Sequence, residues 1–213
     1  MENKDQAVKE ADKLVSEMTV TSNSNIEETK KPKKQPKKQE PKLSETELAF
    51  NIFNACELRV GEIVEVNEHP ESSKLYIEKI DMGGEIRTIL SGLKEHIPIE
   101  DMKKKVIIFA NLKPRKIAGI ESNGMVMCAG DSARTKFALL MPCPDAKLGE
   151  LVTLDHPDFT PAENFKAPNN KAVDKFLKKL NTSSEGVGRF DEFILKTESG
   201  LLLPTGIKDG SIS

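Results

Sequence analysis

Short β-rich runs at close spacing constrain the fold of this 213-residue chain more than any other feature. Five runs are apolar or alternate apolar and polar residues, and each predicts a strand: Leu58–Val66, Leu75–Met82, Glu85–Ser91, Val106–Ala110 and Met125–Ala129. A bulge is expected at Gly61, and Gly83-Gly84 predicts a hairpin turn. Five strands favour a small closed barrel, because a sandwich needs about seven. The sequence therefore predicts a mainly β fold.

Two further segments flank these strands. Ser44-Glu45-Thr46-Glu47 is a capping box, which predicts that a short helix begins before the first strand. Ala172–Leu180 has its apolar residues on one helical face, while Phe190–Leu195 and Leu201–Leu203 are typical of strands. Residues 156–213 are too few to fold alone without added cross-links, so we expect this segment to dock on the barrel.

The first 42 residues have a different composition. Residues 1–29 carry 3 lysines against 7 acidic residues and contain a short amphipathic pattern, which is either a frayed tail or a docking helix for a partner. Residues 30–42 form a low-complexity linker in which prolines disfavour a helix. Its lysines are Lys30, Lys31, Lys33, Lys34, Lys37, Lys38 and Lys42. The formal net charge of -2 hides this local positive field, and we predict a disordered basic tail.

The whole sequence disfavours a secreted protein, a membrane protein and a metal-binding protein. The start has no apolar run typical of a signal peptide, and no stretch approaches the ~20 apolar residues that span a bilayer. Three cysteines form no Cys-x-x-Cys pair, and the three histidines lack metal-ligand spacing. We therefore expect a cytoplasmic protein without a metal, a cofactor or a membrane partner.

The most informative stretch is the loop from Asn111 to Met125, which joins two apolar strands. Its cations can pair with phosphates, its amide and hydroxyl groups can reach base edges or 2′-hydroxyls, and Gly119 and Gly124 let the backbone approach a ligand. The candidate RNA contacts within it are Asn111, Lys113, Arg115, Lys116, Ser122 and Met125. By residue type alone it is a basic hairpin loop, and most such loops are solvated surface.

The order of residues in this loop is specific. The pattern Asn-Leu-Lys-Pro-x-Lys-x-x-Gly-x-x-Ser-x-Gly-Met resembles the signature of the EMAP II-type tRNA-binding module, which occurs in aminoacyl-tRNA synthetases and their accessory factors. Further matches follow the family's order: Leu58–Gly61, His69–Tyr76, Ser91–Leu93, Met125–Ala129 and Gly206–Lys208. The resemblance covers about residues 54–208.

This resemblance implies an OB-fold β-barrel over residues 43–155 that binds the shape of tRNA with little sequence preference. It also implies that residues 156–213 are an EMAP II-like extension, which replaces the second subunit of a dimer and leaves the module monomeric. Weaker candidate RNA contacts on neighbouring strands and loops are Arg59, Lys74, Ser91 and Lys94.

Each of these residue types also has an ordinary structural interpretation. Met125 alternates with Met127, so it can pack as readily as it can touch RNA. Asn111 can cap the turn before Pro114, and Arg59 can be a strand-surface residue. Other candidates for structural roles are His69-Pro70, as a turn, and Lys103-Lys104-Lys105, as a solvated run.

The resulting functional hypothesis is non-catalytic tRNA binding as a cofactor or appended module of aminoacyl-tRNA synthetases. The sequence has no phosphate-cradling loop, no metal cluster and no nucleophile–base group, so it contains no signal for catalysis. The alternatives are a scaffold component of a multi-synthetase complex and a cytokine-like secreted polypeptide, although Glu62 and Glu65 weaken the second. The lysine linker is expected to add nonspecific electrostatic affinity, or else to be a nuclear-localisation-like run or an inert spacer.

Overall fold

A computed structural model describes residues 43–213, so the possible helix in residues 1–29 and the basic linker 30–42 lie outside them. The first element, helix α1, spans Glu45–Phe53 and begins at the predicted capping box. The backbone N–H of Glu47 donates to Ser44 Oγ at 3.1 Å, and that of Ser44 donates to the Glu47 carboxylate at 2.7 Å. The two bonds satisfy donors that a helix start leaves unpaired.

Fifteen short strands and one more α-helix follow among the described residues. They are β1 (Leu58–Glu68), β2 (Tyr76–Asp81), β3 (Ile86–Ser91), a 3-10 turn (Ile99–Asp101), β4 (Lys105–Phe109), β5 (Arg115–Ile117), β6 (Ile120–Ser122), β7 (Met125–Val126), β8 (Cys128–Gly130), β9 (Phe137–Leu139), β10 (Thr153–Leu154), α2 (Asn170–Leu177), β11 (Leu180–Thr182), β12 (Gly188–Phe190), β13 (Phe193–Thr197), β14 (Gly200–Leu201) and β15 (Ser211–Ile212).

The predicted five-stranded barrel is confirmed. Its antiparallel strands follow the order β3-β2-β1-β4-β7. The backbone N–H of Asn123, between β6 and β7, donates to Thr88 O on β3 at 2.9 Å and links the two edges. Linking the edges removes the unpaired strand borders that an open sheet exposes. Strands β5 and β6 form a separate hairpin beside this link.

The predicted bulge at Gly61 is wrong. Gly61 pairs in regular register with Val106, and the register shift lies between Ile63 and Glu65. Gly61 instead allows close packing, because a Cβ there would lie 2.7 Å from Ile80 Cγ2. The glycine therefore reflects a crowded barrel interior and not a backbone irregularity.

Three predicted elements end at different residues. Met125–Ala129 is divided into β7 and β8 at Met127, and the helix predicted over Ala172–Leu180 is α2. Phe190–Leu195 was predicted as one strand but forms a hairpin of β12 and β13 around Asp191, whose φ is 51°. An aspartate tolerates this left-handed conformation better than most residues, but a turn there has no glycine to signal it.

The C-terminal segment docks on the barrel, as predicted. Strand β15 pairs with β8, which joins the C-terminal strands to the chain leaving the barrel in one eight-stranded sheet. Phe109 of β4 packs against Phe176 of α2 at 5.3 Å between ring centroids, and Phe53 of α1 packs against Phe190 at 5.2 Å. One apolar cluster thus contains side chains from both parts of the chain. The boundary near residue 155 stays a prediction.

Two general properties of residues 43–213 bear on function. No helix there combines the length and the apolar character that crossing a membrane requires. No cluster of three or more histidine, cysteine or acidic side chains in these residues is arranged to hold a metal ion.

Candidate nucleic-acid interface

The β5–β6 hairpin presents the loop that the sequence singled out. Arg115 pairs with Ser122 and Lys116 with Glu121 in its antiparallel register. Ala118 and Gly119 form the turn, with φ values of 45° and 90°. Because side chains alternate along a strand, Arg115 and Lys116 lie on opposite faces of the hairpin.

The tip of the hairpin is held by a buried histidine. The backbone N–H of Glu71 donates to His69 Nδ1 at 3.1 Å, so this nitrogen is the acceptor and Nε2 carries the hydrogen. Nε2 then donates to Ala118 O at 3.1 Å. His69-Pro70 lies at a turn, as predicted, and its imidazole fixes the hairpin tip to the β1–β2 loop.

An open groove of about 930 Å³ lies beside the hairpin. It is bounded by the end of β3, the hairpin, the β8–β9 loop and one face of α2. Half of the predicted RNA contacts line it: Ser91, Lys113, Arg115, Ser122 and Met125. The other five do not line it: Arg59, Lys74, Lys94, Asn111 and Lys116.

The rim of the groove carries uncompensated positive charge. Lys113 and Arg115 are exposed, as is Arg134 of the β8–β9 loop. Within residues 43–213 none of these three cations makes a salt bridge. Asp174 of α2 is the acidic residue among the groove's lining. The rim can therefore accept phosphates without first breaking an ion pair.

The floor of the groove is polar but already hydrogen-bonded. Ser122 is buried, and its Oγ accepts from the backbone N–H of Leu90 at 3.0 Å and donates to Gly124 O at 3.2 Å. Gly124 is itself confined, because a Cβ would lie 2.9 Å from Ile89 Cδ1. Ser122 and Gly124 thus brace the hairpin against β3. Gly124 also lines the groove, so a close approach of its backbone to a ligand stays a prediction.

A buried carboxyl group lies under the same floor. Glu78 is fully buried on β2, and Ser91 Oγ donates to its Oε1. Desolvation raises the pKa of Glu78 to about 8, although the Ser91 bond opposes the shift. Its Oε2 has no hydrogen-bond partner among the described residues. Glu78 is thus held as a neutral acid over most of the physiological range, with Ser91 between it and the groove.

Asn111 lies outside the groove and connects three segments. Its Oδ1 accepts from the backbone N–H of Glu57 at 2.9 Å, and its Nδ2 donates to Lys166 O at 2.9 Å and to Ala55 O at 3.3 Å. Both amide donors are used within the protein. These contacts differ from the predicted cap before Pro114, and they favour a structural part for Asn111.

Met125 packs inside the protein and also borders the groove, and its contact with RNA stays a prediction. It is half-buried on β7, packs against the apolar cluster shared with the C-terminal segment, and lines the groove. A flexible thioether suits such a position, because it fills irregular space on an adaptable surface.

Three other predicted cations, one on β1 and two in loops, have acidic partners. Arg59 pairs with Glu57 and also donates to Gly149 O at 2.7 Å. Lys94 pairs with Glu68 at 2.7 Å. A weaker contact of 3.6 Å joins Lys74 Nζ and Glu95 Oε2. RNA contact by these cations stays a prediction.

The run Lys103-Lys104-Lys105 is not uniformly solvated. Lys105 Nζ donates to Ala146 O at 2.8 Å and to Pro144 O at 3.2 Å, which ties β4 to the following loop. The expectation of a solvated run is therefore wrong for this lysine.

Three lining residues were missed by the sequence argument: His96, Arg134 and Phe137. The rings of His96 and Phe137 are 4.3 Å apart at an angle of 41°, and Arg134 Cζ is 5.6 Å from the Phe137 centroid. They come from two loops and strand β9, so their proximity depends on tertiary structure. A polar, cationic loop over residues 131–136 was the available signal.

The groove also contains the Cys128 thiol. Burial raises the pKa of Cys128 to about 11, against which the nearby Arg134 charge acts only weakly. A thiol with such a pKa carries almost no thiolate at neutral pH, and the thiolate is the nucleophile in cysteine chemistry. The Cys128 thiol is therefore unsuited to act as a nucleophile at neutral pH.

Sequence comparison identifies the family to which the barrel segment is similar. Residues 58–151 match the family described as "Putative tRNA binding domain". The methionine–tRNA ligase of Pyrococcus furiosus is 48% identical over 106 residues, which is 49% of this chain and 14% of the ligase. The cytoplasmic tyrosine–tRNA ligase of Gallus gallus is 34% identical over 185 residues, 85% of this chain and 34% of the ligase.

The longest similarity among these relatives is to the probable methionine–tRNA ligase of Oryza sativa, 32% identical over 212 residues, 99% of this chain and 26% of the ligase. The chain thus spans about a third or less of the length of the curated relatives described here. Among solved structures, the C-terminal domain of Plasmodium vivax p43 superimposes with a TM-score of 0.67. It is 26% identical, and the match covers 76% of this chain and 98% of that domain.

Proposed function

We propose, from the membership of residues 58–151 in the tRNA-binding domain family, that this protein binds tRNA and that the groove beside the β5–β6 hairpin is its contact surface. One observation supports the location above all others. The exposed and unpaired cations Lys113 and Arg115, predicted as RNA contacts, lie together on the rim of the groove.

Recognition is proposed to rest on the shape and the phosphates of tRNA. The rim offers charge, whereas the floor hydroxyls of Ser91 and Ser122 are engaged within the protein. Phosphate contacts fix position on a nucleic acid but carry no sequence information. Such an interface favours binding to many tRNAs over selection of one.

The test is tRNA binding by the full chain and by the variant Lys113→Gln/Arg115→Gln. Two lost phosphate contacts would lower the log–log salt slope by about 1.5 and the affinity on the order of thirtyfold at 0.1 M salt. The matched control is Lys147→Gln/Lys208→Gln, which removes the same charge from exposed sites outside the groove. Equal losses of tRNA affinity in both variants would contradict the groove as the contact surface.

We further propose that the protein acts with aminoacyl-tRNA synthetases as a non-catalytic cofactor or an appended module. The support is that methionine– and tyrosine–tRNA ligases share this segment while being several times longer. Purification of the full chain from its native extract should recover a synthetase catalytic polypeptide together with tRNA. Aminoacyl-adenylate formation by the purified chain alone would contradict the non-catalytic part of the proposal.

A further inference from the structure

One end of the groove contains an aromatic and cationic cluster that the phosphate contacts do not explain. His96 and Arg134 are exposed, and Phe137 between them is half-buried. We call these three side chains the 96–134–137 cluster. Aromatic rings and guanidinium planes are the groups on which nucleobases stack.

The backbone around Arg134 indicates that its side chain has a use. Arg134 has a φ of 54°, a left-handed conformation that glycine adopts at much lower cost. Asp131 holds the loop in place: its Oδ1 accepts from the backbone N–H groups of Thr135 and Lys136, at 2.6 and 3.0 Å. These bonds, that from Lys136 first, hold the pKa of Asp131 below its usual value. A strained arginine fixed by its neighbours is a pattern found at binding sites.

The groove is also lined by apolar side chains, next to the polar Asn170 and Asp174 of α2. Leu112 lies on the hairpin side, and Val173 and Leu177 lie on α2. An apolar wall offers nothing to a phosphate, since burying a charge without a partner is unfavourable. A nucleobase has apolar faces and polar edges, and it therefore fits a groove with apolar walls and a polar floor.

We propose that the 96–134–137 cluster is a stacking platform for one unpaired nucleobase of the bound RNA. The flanking phosphates would lie on the rim at Lys113 and Arg115. The inference rests on the proposed function, and it narrows the ligand to RNA with an unstacked base, such as a loop or a single-stranded end. Stacking tolerates any base, so the platform is consistent with weak sequence preference.

The variant Phe137→Leu removes the aromatic face and keeps an apolar side chain. We expect it to weaken binding of a tRNA mixture, and of a single-stranded RNA of roughly ten nucleotides, by about five- to a hundredfold. Binding of a fully paired RNA of the same length should not change. The salt slope should also stay constant, because no charge is lost. Phe159→Leu is the matched control, since Phe159 is half-buried but outside the groove.

The variant Arg134→Gly separates the platform from the stability of the fold. Glycine relieves the strained φ, so the melting temperature should not fall, while binding of single-stranded RNA should weaken. Arg134→Lys keeps the charge and should recover the salt slope but not the full affinity.

Weaker binding of tRNA and single-stranded RNA by Phe137→Leu, with paired RNA unaffected, would support the platform. So would a loss in Arg134→Gly that is larger for single-stranded than for paired RNA. Equal losses for paired and single-stranded RNA would overturn it, and so would full affinity in Phe137→Leu. If these variants bind normally while Lys113→Gln/Arg115→Gln is weakened, the proposed function stands and the platform fails. If the parent chain does not bind tRNA, both fail.

Discussion

On the rim of the groove Lys113 and Arg115 are exposed and make no salt bridge within residues 43–213, whereas on its floor Ser91 and Ser122 are buried and hydrogen-bonded to the protein. All four were predicted as RNA contacts. A solvated cation can exchange water for a phosphate, but a buried hydroxyl must first give up a partner. The difference supports the proposal that the rim contacts RNA, while the hydrogen bonds of the floor hold the hairpin against β3.

The largest expected effect concerns a third set of cations, the linker 30–42. A truncated chain that starts at Leu43 should lose up to about 5 units of salt slope, because seven lysines each contribute ~0.7. Between 50 and 200 mM salt this corresponds to as much as about a thousandfold in affinity. Binding measured against salt concentration decides it. An unchanged slope would leave the rim as the dominant electrostatic contact.

Removing the Asn111 side chain should lower the stability of the fold but leave the affinity for tRNA almost unchanged. Asn111→Ala leaves two carbonyl groups and one backbone N–H without their side-chain partner, so unfolding in urea should become easier by about 2–3 kcal/mol. The affinity for tRNA should change by less than about threefold. Asn67→Ala, at an exposed site, is the control. A stable Asn111→Ala protein that binds tRNA poorly would restore Asn111 as a direct contact.

The carboxyl group below the floor predicts a pH dependence. Glu78 has a pKa of about 8 in the folded protein against 4.5 for the free group, so the folded state binds its proton more tightly. The contribution of Glu78 to stability is therefore fully present below about pH 4.5 and is lost as the pH rises towards 8. Between pH 6 and 7.5 the loss amounts to about 2 kcal/mol at most.

Glu78→Gln keeps the acceptor for Ser91 and removes the titrating proton, so its stability should fall less over this interval. Urea unfolding of both proteins at pH 6 and 7.5 measures the difference. If the free energy of unfolding changes equally between pH 6 and 7.5 in the two proteins, burial does not control the protonation of Glu78. The affinity for tRNA should depend on the rim cations Lys113 and Arg115 and should not change as Glu78 titrates.

The smallest effect is expected from cations that already have acidic partners. Lys74→Gln/Lys94→Gln should lower tRNA affinity by less than about threefold, because the nearby carboxylates of Glu95 and Glu68 already offset the charge that these lysines present to a phosphate. Filter binding beside Lys113→Gln/Arg115→Gln gives the comparison directly. A loss as large as that of the rim variant would show that ion pairing does not separate the two groups.

Much of the barrel was predictable because local patterns and turn residues agree. Alternation in Leu75–Met82 and the Gly83-Gly84 turn predicted the β2–β3 hairpin, and the capping box predicted the start of α1. The structural role of Gly61 was not predictable in this way. A glycine is needed there because a Cβ would lie too close to Ile80 on a neighbouring strand, and no local sequence pattern encodes that contact.

In the candidate site, too, some features were predictable from the sequence and others were not. The cations of the Asn111–Met125 loop could be named because the order of residues there is specific. Their separation into free and paired groups could not be predicted, since the carboxylate of Glu68 reaches Lys94, 26 residues away, only in the folded chain.

The sequence by itself determined the β-rich barrel, the helix start at Ser44 and the loop that carries the charges of Lys113 and Arg115, because these depend on periodicity, capping and residue order. Only the tertiary structure decided that Ser122 braces the hairpin and that Arg134 and Phe137 meet His96 in the groove. The physical reason is that hydrogen-bond partners, burial and ring contacts form between segments far apart in the chain, and these contacts determine which polar groups stay free to bind.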